Sequence, residues 1–257
     1  MSNHLKIVET KMLAEKIFLV RLKSETIAKS AVPGQFINIK CCDGLDAFLR
    51  RPISILRTDP YEGTFDFVFM VKGKGTDILS RLKCDDFIDC MGPLGKGFTL
   101  PVKGEKVWVV GGGIGIFPLF FLLERSTDVQ KTSFLGFRAK DSIVLQNEFE
   151  RVSDKVIITT DDGSYGIHGL VTKPFLERLE REKPDKVYTC GPMPMIKSIA
   201  EICIERGIFC EVSMEQRMGC GIGACLVCAC KVKHGDDFEY EHVCKDGPVF
   251  PAERLIF

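Results

Sequence analysis

The sequence predicts a multidomain fold: a small antiparallel β-barrel, then an α/β domain with a parallel sheet, then a short cysteine module. Three observations support this prediction. Short β-type segments fill the first part of the chain, strand and helix patterns alternate after it, and cysteines are concentrated near the end. We place the domains at residues 1–102, 103–211 and 212–257, with Lys103 and Gly104 as the hinge between the first two.

The first part of the chain is predicted to consist of short strands separated by turns. The segments 5–9, 17–22, 35–39, 52–57 and 65–71 are rich in Ile, Val and Phe and are bounded by Pro, Gly and Asp. Segment 65–71 alternates only partly, which predicts a strand that is covered on both faces. A single short helix is expected over 77–82. Several short strands with one helix indicate a small antiparallel barrel.

From residue 105 onward, apolar runs alternate with helical segments. The expected strands are 107–110, 133–137, 156–160, 186–189 and 209–212. The expected helices are 117–125, 142–152, 172–181 and 194–206. This alternation predicts a parallel, doubly wound sheet, and such sheets bind ligands at the carboxyl ends of their strands.

The composition excludes several classes of protein. Lys+Arg and Asp+Glu number 35 each, so no nucleic-acid partner and no membrane surface is expected. The uncharged run 107–123 is short for a membrane span, and its glycine turn and Pro118 indicate a strand, a tight turn and a helix start. The N-terminus has no apolar signal region. The twelve cysteines are therefore expected to be mostly reduced thiols in the cytoplasm.

The most specific motif lies near the C-terminus. Cys220, Cys225 and Cys228 have the Cys-x4-Cys-x2-Cys spacing of plant-type [2Fe–2S] proteins, and the glycines between them allow a tight loop with N–H groups facing the sulfurs. The fourth thiolate must come from another segment, which predicts Cys244, while Cys230 is predicted to be a packed neighbour. Structural zinc is the main rival, and inert or disulfide-bonded cysteines are a lesser one. Zinc sites usually pair two short Cys knuckles, so the cluster is favoured.

Four weaker motifs lie at strand ends or helix starts: Arg51-Pro52-Ile53-Ser54, Gly73-Lys74-Gly75-Thr76, Gly111-Gly112-Gly113-Ile114-Gly115 and Cys190-Gly191-Pro192. Gly75 and Thr76 at a helix N-terminus suit a pyrophosphate, although a plain N-cap also explains them. The glycine turn lacks the last glycine of the dinucleotide fingerprint, so nucleotide binding and a tight structural turn both stay open. Cys190 is either part of a site or buried filler.

Two further groups of residues are of types that could carry acid–base or metal chemistry. Asp161 and Asp162 follow the third strand of the α/β part, where turn chemistry with a role at the rim of a cofactor is favoured. The four histidines are scattered and form no Cys/His or Ser/His constellation. We therefore predict no catalytic side chain.

Taken in this order, the motifs resemble the ferredoxin–NAD(P) reductase superfamily, and in particular the electron-transfer subunits of type B dihydroorotate dehydrogenase. The matching segments span nearly the whole chain. The most specific are 215–225 and 244–250, because common flavin reductases lack them. Met70 departs from the aromatic–Arg pairing expected before Gly73, which leaves the details of the flavin contacts open.

The resemblance implies a role for each motif. Arg51 would bind an FAD phosphate, and Ser54 would hydrogen-bond the isoalloxazine near N5. The other FAD contacts would come from neighbouring strands and a helix start: Pro52, Ile53, Val68, Phe69, Met70, Gly75 and Thr76. NADH would lie with its nicotinamide over the flavin, held by residues at two strand ends: Gly111, Gly112, Gly113, Gly115, Cys190, Gly191 and Pro192.

These cofactors imply an electron relay. NADH delivers two electrons together as hydride, whereas a [2Fe–2S] cluster accepts one at a time, so the flavin must divide the pair. No side-chain base or nucleophile is required. The chain shows no domain for an organic acceptor, so the electrons are expected to leave to another protein. The resemblance implies that this partner is an FMN-containing dihydroorotate dehydrogenase catalytic subunit of UMP synthesis, in a heterotetramer with two copies of each chain.

Two alternative functions stay open. A related flavin/iron–sulfur NAD(P)H reductase subunit would serve another partner, such as ferredoxin in a bifurcating enzyme. A zinc-stapled binding module would be non-catalytic and would show no flavin or iron–sulfur absorption. The choice between NADH and NADPH is also open, because Arg138 and Lys140 follow the second strand of the α/β part, where a 2′-phosphate would lie.

Overall fold

The computed structural model describes residues 3–257, and it confirms the predicted antiparallel barrel. The barrel strands are β1 Asn3–Ala14, β2 Ile17–Lys23, β3 Phe36–Ile39, β4 Arg51–Asp59, β5 Thr64–Met70 and β6 Phe87–Leu94. They close in the order β1-β2-β5-β4-β3-β6, and neighbouring strands are antiparallel. Two short helices, α1 Glu25–Ser30 and α2 Lys74–Leu79, belong to this part.

The prediction of a single helix in the barrel part is wrong, because α1 forms as well. The Ser24 hydroxyl accepts the N–H of Ile27 at 3.4 Å and caps this helix, while Ile27 is buried in the barrel core. Strand β6 is also absent from the sequence prediction, since Asp89 and the Gly92-Pro93 pair interrupt its apolar pattern. Strand β5, in contrast, is buried on both faces, as its partial alternation predicts.

The predicted α/β domain is confirmed too. Its strands are β7 Lys106–Gly112, β8 Gln130–Phe137, β9 Lys155–Thr160, β10 Ile167–His168, β11 Lys186–Cys190 and β12 Phe209–Ser213. Its helices are α3 Ile116–Arg125, α4 Gln146–Val152, α5 Thr172–Leu179 and α6 Met193–Glu205. The strands run parallel in the order β10-β9-β8-β7-β11-β12. The order reverses between β7 and β11, so a binding crevice is expected at their carboxyl ends.

The C-terminal segment forms a hairpin and then returns to the large sheet. Strands β13 Ala229–His234 and β14 Asp237–His242 pair with each other, and β15 Val249–Pro251 pairs antiparallel with β12. The cysteine module therefore shares a sheet with the α/β part. The domain boundaries at 102/103 and 211/212 stay predictions.

Helix α3 is buried up to residue 123 because it lies between the sheet and the barrel. Most of residues 116–123 share one core with Val109 of the sheet and Val68 of the barrel, and Phe121 packs in the barrel core. This packing accounts for the uncharged run 107–123. Within residues 3–257, no helix has the length and apolar character needed to span a membrane.

A buried carboxylate ties the barrel's exit segment to the sheet. Glu211 on β12 accepts the backbone N–H and the hydroxyl of Thr99, each at 2.8 Å. The Tyr188 hydroxyl donates to the Thr99 carbonyl at 2.6 Å. Burial raises the pKa of Glu211, although the Thr99 hydrogen bonds act in the opposite direction. The connection between the two folds is thus fixed by polar contacts as well as by the core.

We expect Thr99→Val to destabilise the protein by about 1–2 kcal/mol, because it removes one donor from a buried carboxylate and keeps the side-chain shape. Urea unfolding measures this difference. Thr127→Val, at an exposed position, serves as the control. Equal unfolding free energies for the two variants would show that the Thr99 hydroxyl does not stabilise the connection.

Candidate cofactor site

A cleft of about 440 Å³ lies where the barrel meets the large sheet. Predicted cofactor residues from both parts line it: Arg51, Pro52, Ile53, Ser54, Val68, Phe69, Met70, Thr76, Gly115 and Cys190. The other predicted residues lie outside this lining: Gly75, Gly111, Gly112, Gly113, Gly191 and Pro192. The structure thus brings the barrel motifs and the strand-end motifs to one crevice.

One corner of the cleft combines a guanidinium with the start of α2. A Cβ on Gly75 would lie 2.8 Å from Nε of Arg51, so the Arg51 guanidinium packs directly against the backbone of the helix start and would have to shift if a side chain were added there. The Thr76 hydroxyl accepts the N–H groups of Lys72 and Gly73 at 2.9 and 3.2 Å. The N-cap of α2 is Gly73, and Thr76 is the third helical residue, whose hydroxyl caps the backbone before the helix. Arg51 supplies the positive charge of this corner.

The glycine turn after β7 packs directly on the end of β11. A Cβ on Gly115 would lie 2.4 Å from the carbonyl oxygen of Cys190 and 2.5 Å from Cα of Gly191. A Cβ on Gly112 would lie 2.7 Å from Pro192. Close backbone packing is thus one reason for these glycines. It joins the carboxyl ends of β7 and β11 into one surface, called the floor below, at the predicted nicotinamide position.

Cys190 takes part in this contact and lines the cleft. Its side chain is buried, and burial raises the pKa of its thiol to about 12, with the negative charge of Glu215 adding to the shift and a hydrogen bond with Ser213 opposing it. The Cys190 thiol is therefore neutral at physiological pH. It is not an ionised nucleophile, and its part in a binding site stays a prediction.

Sequence reasoning missed part of the cleft lining. The lining residues outside the predicted set come from β3, from the segment before α2, from the turn before α3 and its first residues, and from both sides of the cysteine loop: Phe36, Lys72, Gly73, Ile114, Phe117, Pro118, Ser213, Met214, Glu215, Gln216, Met218 and Pro248. The rule that ligands bind at strand carboxyl ends applies to β12 as much as to β11, and it would have found Ser213 and Glu215.

The four predicted cluster cysteines form one network. The N–H of Gly223 donates to Sγ of Cys244 at 3.1 Å, and the N–H of Cys244 donates to Sγ of Cys228 at 3.4 Å. The N–H of Cys220 donates to Sγ of Cys225 at 3.3 Å. Thiolate sulfurs surrounded by backbone donors are what an iron–sulfur cluster requires.

The sulfur of Cys220 receives the most donors. The N–H groups of Ile222, Ala224 and Cys225 point at it from 3.4, 3.3 and 3.4 Å. Burial alone would raise the pKa of this thiol, but the hydrogen bonds outweigh burial and lower the pKa to about 6. Since the metal ligand is the thiolate, Cys220 fits a cluster ligand.

The backbone of this loop depends on glycine at two positions. Gly221 and Gly223 have φ values of +76° and +82°, which lie in the left-handed region. Within residues 3–257, no three His, Cys, Asp or Glu side chains surround one point as they would surround a single ion. A [2Fe–2S] cluster spreads its four thiolates over two irons, so it does not need such a single centre.

Cys230 lies on β13 and is buried, and burial raises the pKa of its thiol to about 11. We expect Cys230→Ser to retain the cluster, because the backbone donors described above point at other sulfurs. Iron content and the visible spectrum of the purified variant measure this. Cys228→Ser is the matched comparison, two residues earlier, and should lose the cluster. A Cys230 variant without iron would identify Cys230 as a ligand.

Three family models match successive parts of the chain. An oxidoreductase FAD-binding domain matches residues 4–98, an oxidoreductase NAD-binding domain matches residues 109–201, and an iron–sulfur cluster binding domain of dihydroorotate dehydrogenase B matches residues 215–256. The predicted cofactors FAD, NAD and an iron–sulfur cluster are thereby confirmed. Fold and site together define a flavin- and iron–sulfur-containing NAD oxidoreductase.

Relatives identify the family more narrowly. The dihydroorotate dehydrogenase B (NAD(+)) electron transfer subunit of Desulforamulus reducens is 41% identical over 254 residues, which cover 98% of this chain and 97% of the relative. The corresponding subunit of Caldanaerobacter subterraneus subsp. tengcongensis is 38% identical, with the same coverage of 98% and 97%. The chain belongs to the family of dihydroorotate dehydrogenase B electron transfer subunits.

A solved structure supports the architecture. The structure of an NADH-dependent reduced ferredoxin–NADP oxidoreductase, studied for flavin-based electron bifurcation, superimposes with a TM-score of 0.87 at 33% identity. The match covers 98% of this chain and 89% of that one. The order of barrel, α/β domain and iron–sulfur module is therefore shared with a protein of related chemistry.

Proposed function

We propose that this chain passes electrons from NADH, through FAD and a [2Fe–2S] cluster, to the FMN of a dihydroorotate dehydrogenase catalytic subunit in UMP synthesis. One observation carries the proposal. The segment 213–220 first lines the cleft, through Glu215 and Met218, and then enters the loop 220–228 that carries three of the proposed ligands, called the thiolate loop below. A flavin in the cleft and a cluster on the loop would be neighbours along one stretch of backbone.

The cofactors supply the redox chemistry when bound: the flavin takes the electron pair of NADH, and the cluster takes electrons singly. The chain's own residues bind and orient them. The Arg51 guanidinium offers a positive charge and N–H donors to a flavin phosphate, with Gly75 leaving room for it beside α2. The Ser54 hydroxyl is a hydrogen-bond partner for the ring. The rest of the flavin wall comes from β4, β5 and α2: Pro52, Ile53, Val68, Phe69, Met70 and Thr76.

The floor between β7 and β11 suits the nicotinamide half of NADH. The glycine turn approaches Cys190 so closely that no side chain separates the two strand ends. Because the Cys190 thiol is neutral, it would place no negative charge beside a nicotinamide bound here. The residues proposed for this half are Gly111, Gly112, Gly113, Gly115, Cys190, Gly191 and Pro192.

Cys220, Cys225, Cys228 and Cys244 are the proposed ligands of the cluster. Their sulfurs accept backbone N–H groups, and such donors stabilise the negative charge that a cluster gains on reduction. A non-catalytic zinc module would not explain the cofactor cleft that adjoins these cysteines.

Electrons are proposed to leave at the exposed side of the thiolate loop. Cys225 is exposed, and three apolar neighbours are 52%, 59% and 58% exposed: Ile222, Leu226 and Val227. Exposed apolar side chains that are grouped together, as these are within one short segment, mark protein contacts. We therefore place the contact with the FMN subunit here.

Assembly and compartment follow the same proposal. We infer a heterotetramer with two copies of each subunit, which rests on the family resemblance. We also infer a cytoplasmic location, because none of the twelve cysteines, all within residues 3–257, forms a disulfide, as suits a reducing compartment.

Co-expression with the FMN-containing dihydroorotate dehydrogenase of the same organism tests the proposal. The two chains should co-purify with FAD, FMN and iron, and dihydroorotate should reduce NAD⁺ only when both are present. If the purified chain reduces dyes with NADH but neither binds that subunit nor supports this reaction, the assignment of the partner is wrong.

A second candidate is a subunit that serves ferredoxin, and the 33% identity to the bifurcating oxidoreductase favours it. The same preparation separates the two candidates. NADH-linked ferredoxin reduction without dihydroorotate-linked activity would select this alternative.

A further inference from the structure

A buried amide lies between the proposed flavin strand and the thiolate loop. Asn38 on β3 has no exposed surface, and its register partner on β4 is Pro52. Side chains two residues apart on a strand share a face, so Asn38 faces the same side as Phe36, which lines the cleft. Asn38 thus belongs to the barrel but faces away from the barrel interior.

The thiolate loop rests on this amide. Nδ2 of Asn38 donates to the carbonyl oxygen of Cys220 at 3.1 Å, across 182 positions of sequence. A Cβ on Gly221 would lie only 2.3 Å from Nδ2, so the loop backbone is in direct contact with the side chain. The bond to the Cys220 carbonyl also fixes which end of the amide faces the loop.

The strand beneath this amide is held independently of the loop. The Asn38 carbonyl lies opposite Pro52, which has no N–H to donate, and it accepts a hydrogen bond from Arg50 at 3.2 Å instead. Arg50 is in turn paired with Asp89 at 2.8 Å. The backbone of Asn38 is therefore held in place by Arg50 and Asp89, so its side chain can position the thiolate loop.

A buried amide at this position is unfavourable for the stability of the fold. Its Oδ1 is buried and has no hydrogen-bond partner among the described residues. An unpaired buried acceptor destabilises the folded state, so an apolar side chain of similar shape would be at least as favourable for stability. A buried polar group of this kind calls for an explanation other than packing.

We propose that Asn38 is a positioning residue. It holds the thiolate loop against β3, beside the proposed flavin-binding strand β4, and so sets the rate of electron transfer from flavin to cluster. This rests on the proposed function. Each NADH oxidised to NAD⁺ releases two electrons and one proton, and the two electrons cross this contact one after the other. Because electron transfer slows steeply as the centres separate, a loose loop would slow this step and leave hydride transfer unchanged.

The test uses the holoprotein with Asn38→Asp and Asn38→Leu. Asp replaces the donor by an oxygen facing the Cys220 carbonyl, and Leu removes both the donor and the unpaired acceptor. Anaerobic stopped-flow mixing with NADH should show flavin reduction within about twofold of the parent and cluster reduction slowed about tenfold in both variants. Asn147→Asp, the same change at an exposed position, is the control and should alter neither step.

Three further readouts separate positioning from simple stability. The EPR signal of the reduced cluster should change shape in both variants, and an iron chelator should remove iron about tenfold faster, which corresponds to about 1.4 kcal/mol. The unfolding free energy of Asn38→Leu should equal or exceed that of the parent. Unchanged cluster reduction and iron release in both variants would overturn the proposal, as would parallel loss of flavin and cluster.

Variants on the loop side keep the test decisive if the Asn38 variants do not fold. Gly221→Ala and Gly223→Ala carry the same left-handed strain, but only the Gly221 variant presses on Asn38, whereas a Cβ on Gly223 meets the flexible Lys245 side chain. Gly221→Ala should lose iron faster than Gly223→Ala, and equal loss would contradict the proposal. None of these readouts needs the partner subunit, so their failure is distinct from failure of the partner assignment.

Discussion

Replacing Cys225 with Ser is expected to abolish cluster assembly and to cut electron transfer to the FMN subunit by more than about 100-fold. This loss is larger than the one expected when a group that only hydrogen-bonds to a metal ligand is removed. Cys225 is the proposed ligand whose sulfur accepts the Cys220 N–H at 3.3 Å, and a hydroxyl does not replace a thiolate on iron. NADH-to-dye activity should be partly retained, because the cleft residues are unchanged. Iron analysis, visible spectra and the two activities measure this.

The contrast with a cysteine outside the loop makes this result specific. Cys84→Ser changes an exposed thiol on the barrel and should affect neither iron content nor activity. Equal loss of dye reduction and partner-linked activity in the Cys225 variant would argue against a two-stage relay. Retention of iron in that variant would remove Cys225 from the ligand set.

The sequence supports those parts of the site whose chemistry is local. The spacing of Cys220, Cys225 and Cys228 predicts the geometry of the loop, because the glycines and the N–H donors to sulfur lie within the same few residues. The alternation of strands and helices likewise predicts the carboxyl edge of the sheet, and with it Cys190. These features need no knowledge of distant contacts.

Other parts depend on contacts that no local pattern encodes. The bond between Asn38 and Cys220 joins residues 182 positions apart, and an Asn within an apolar strand gives no sign of it. Glu215 lines the cleft only because β12 lies beside β11, which is a property of the sheet order. Helix α1 is too short for a period to be visible, although its Ser24 cap was a usable signal.

The second large effect is expected at Gly115. Its φ of −68° is open to any residue, so Gly115→Ala tests packing alone and not backbone strain. The new Cβ would lie 2.4 Å from the Cys190 carbonyl oxygen, and both sides of this contact are backbone, which cannot move aside as a side chain can. The turn must therefore shift away from β11.

We expect Gly115→Ala to raise the KM for NADH by at least about tenfold, a change equivalent to 1.4 kcal/mol of binding. FAD and iron should stay bound, because the proposed FAD residues lie mainly on the barrel and the thiolates lie beyond β12. Gly112→Ala is the matched control in the same turn, since its Cβ would meet Pro192 and the flexible Met195 side chain, and its effect should be smaller. Steady-state dye reduction over a range of NADH concentrations separates the two variants. If both have the parent KM, the close approach of the turn to Cys190 is structural and does not shape the nicotinamide site.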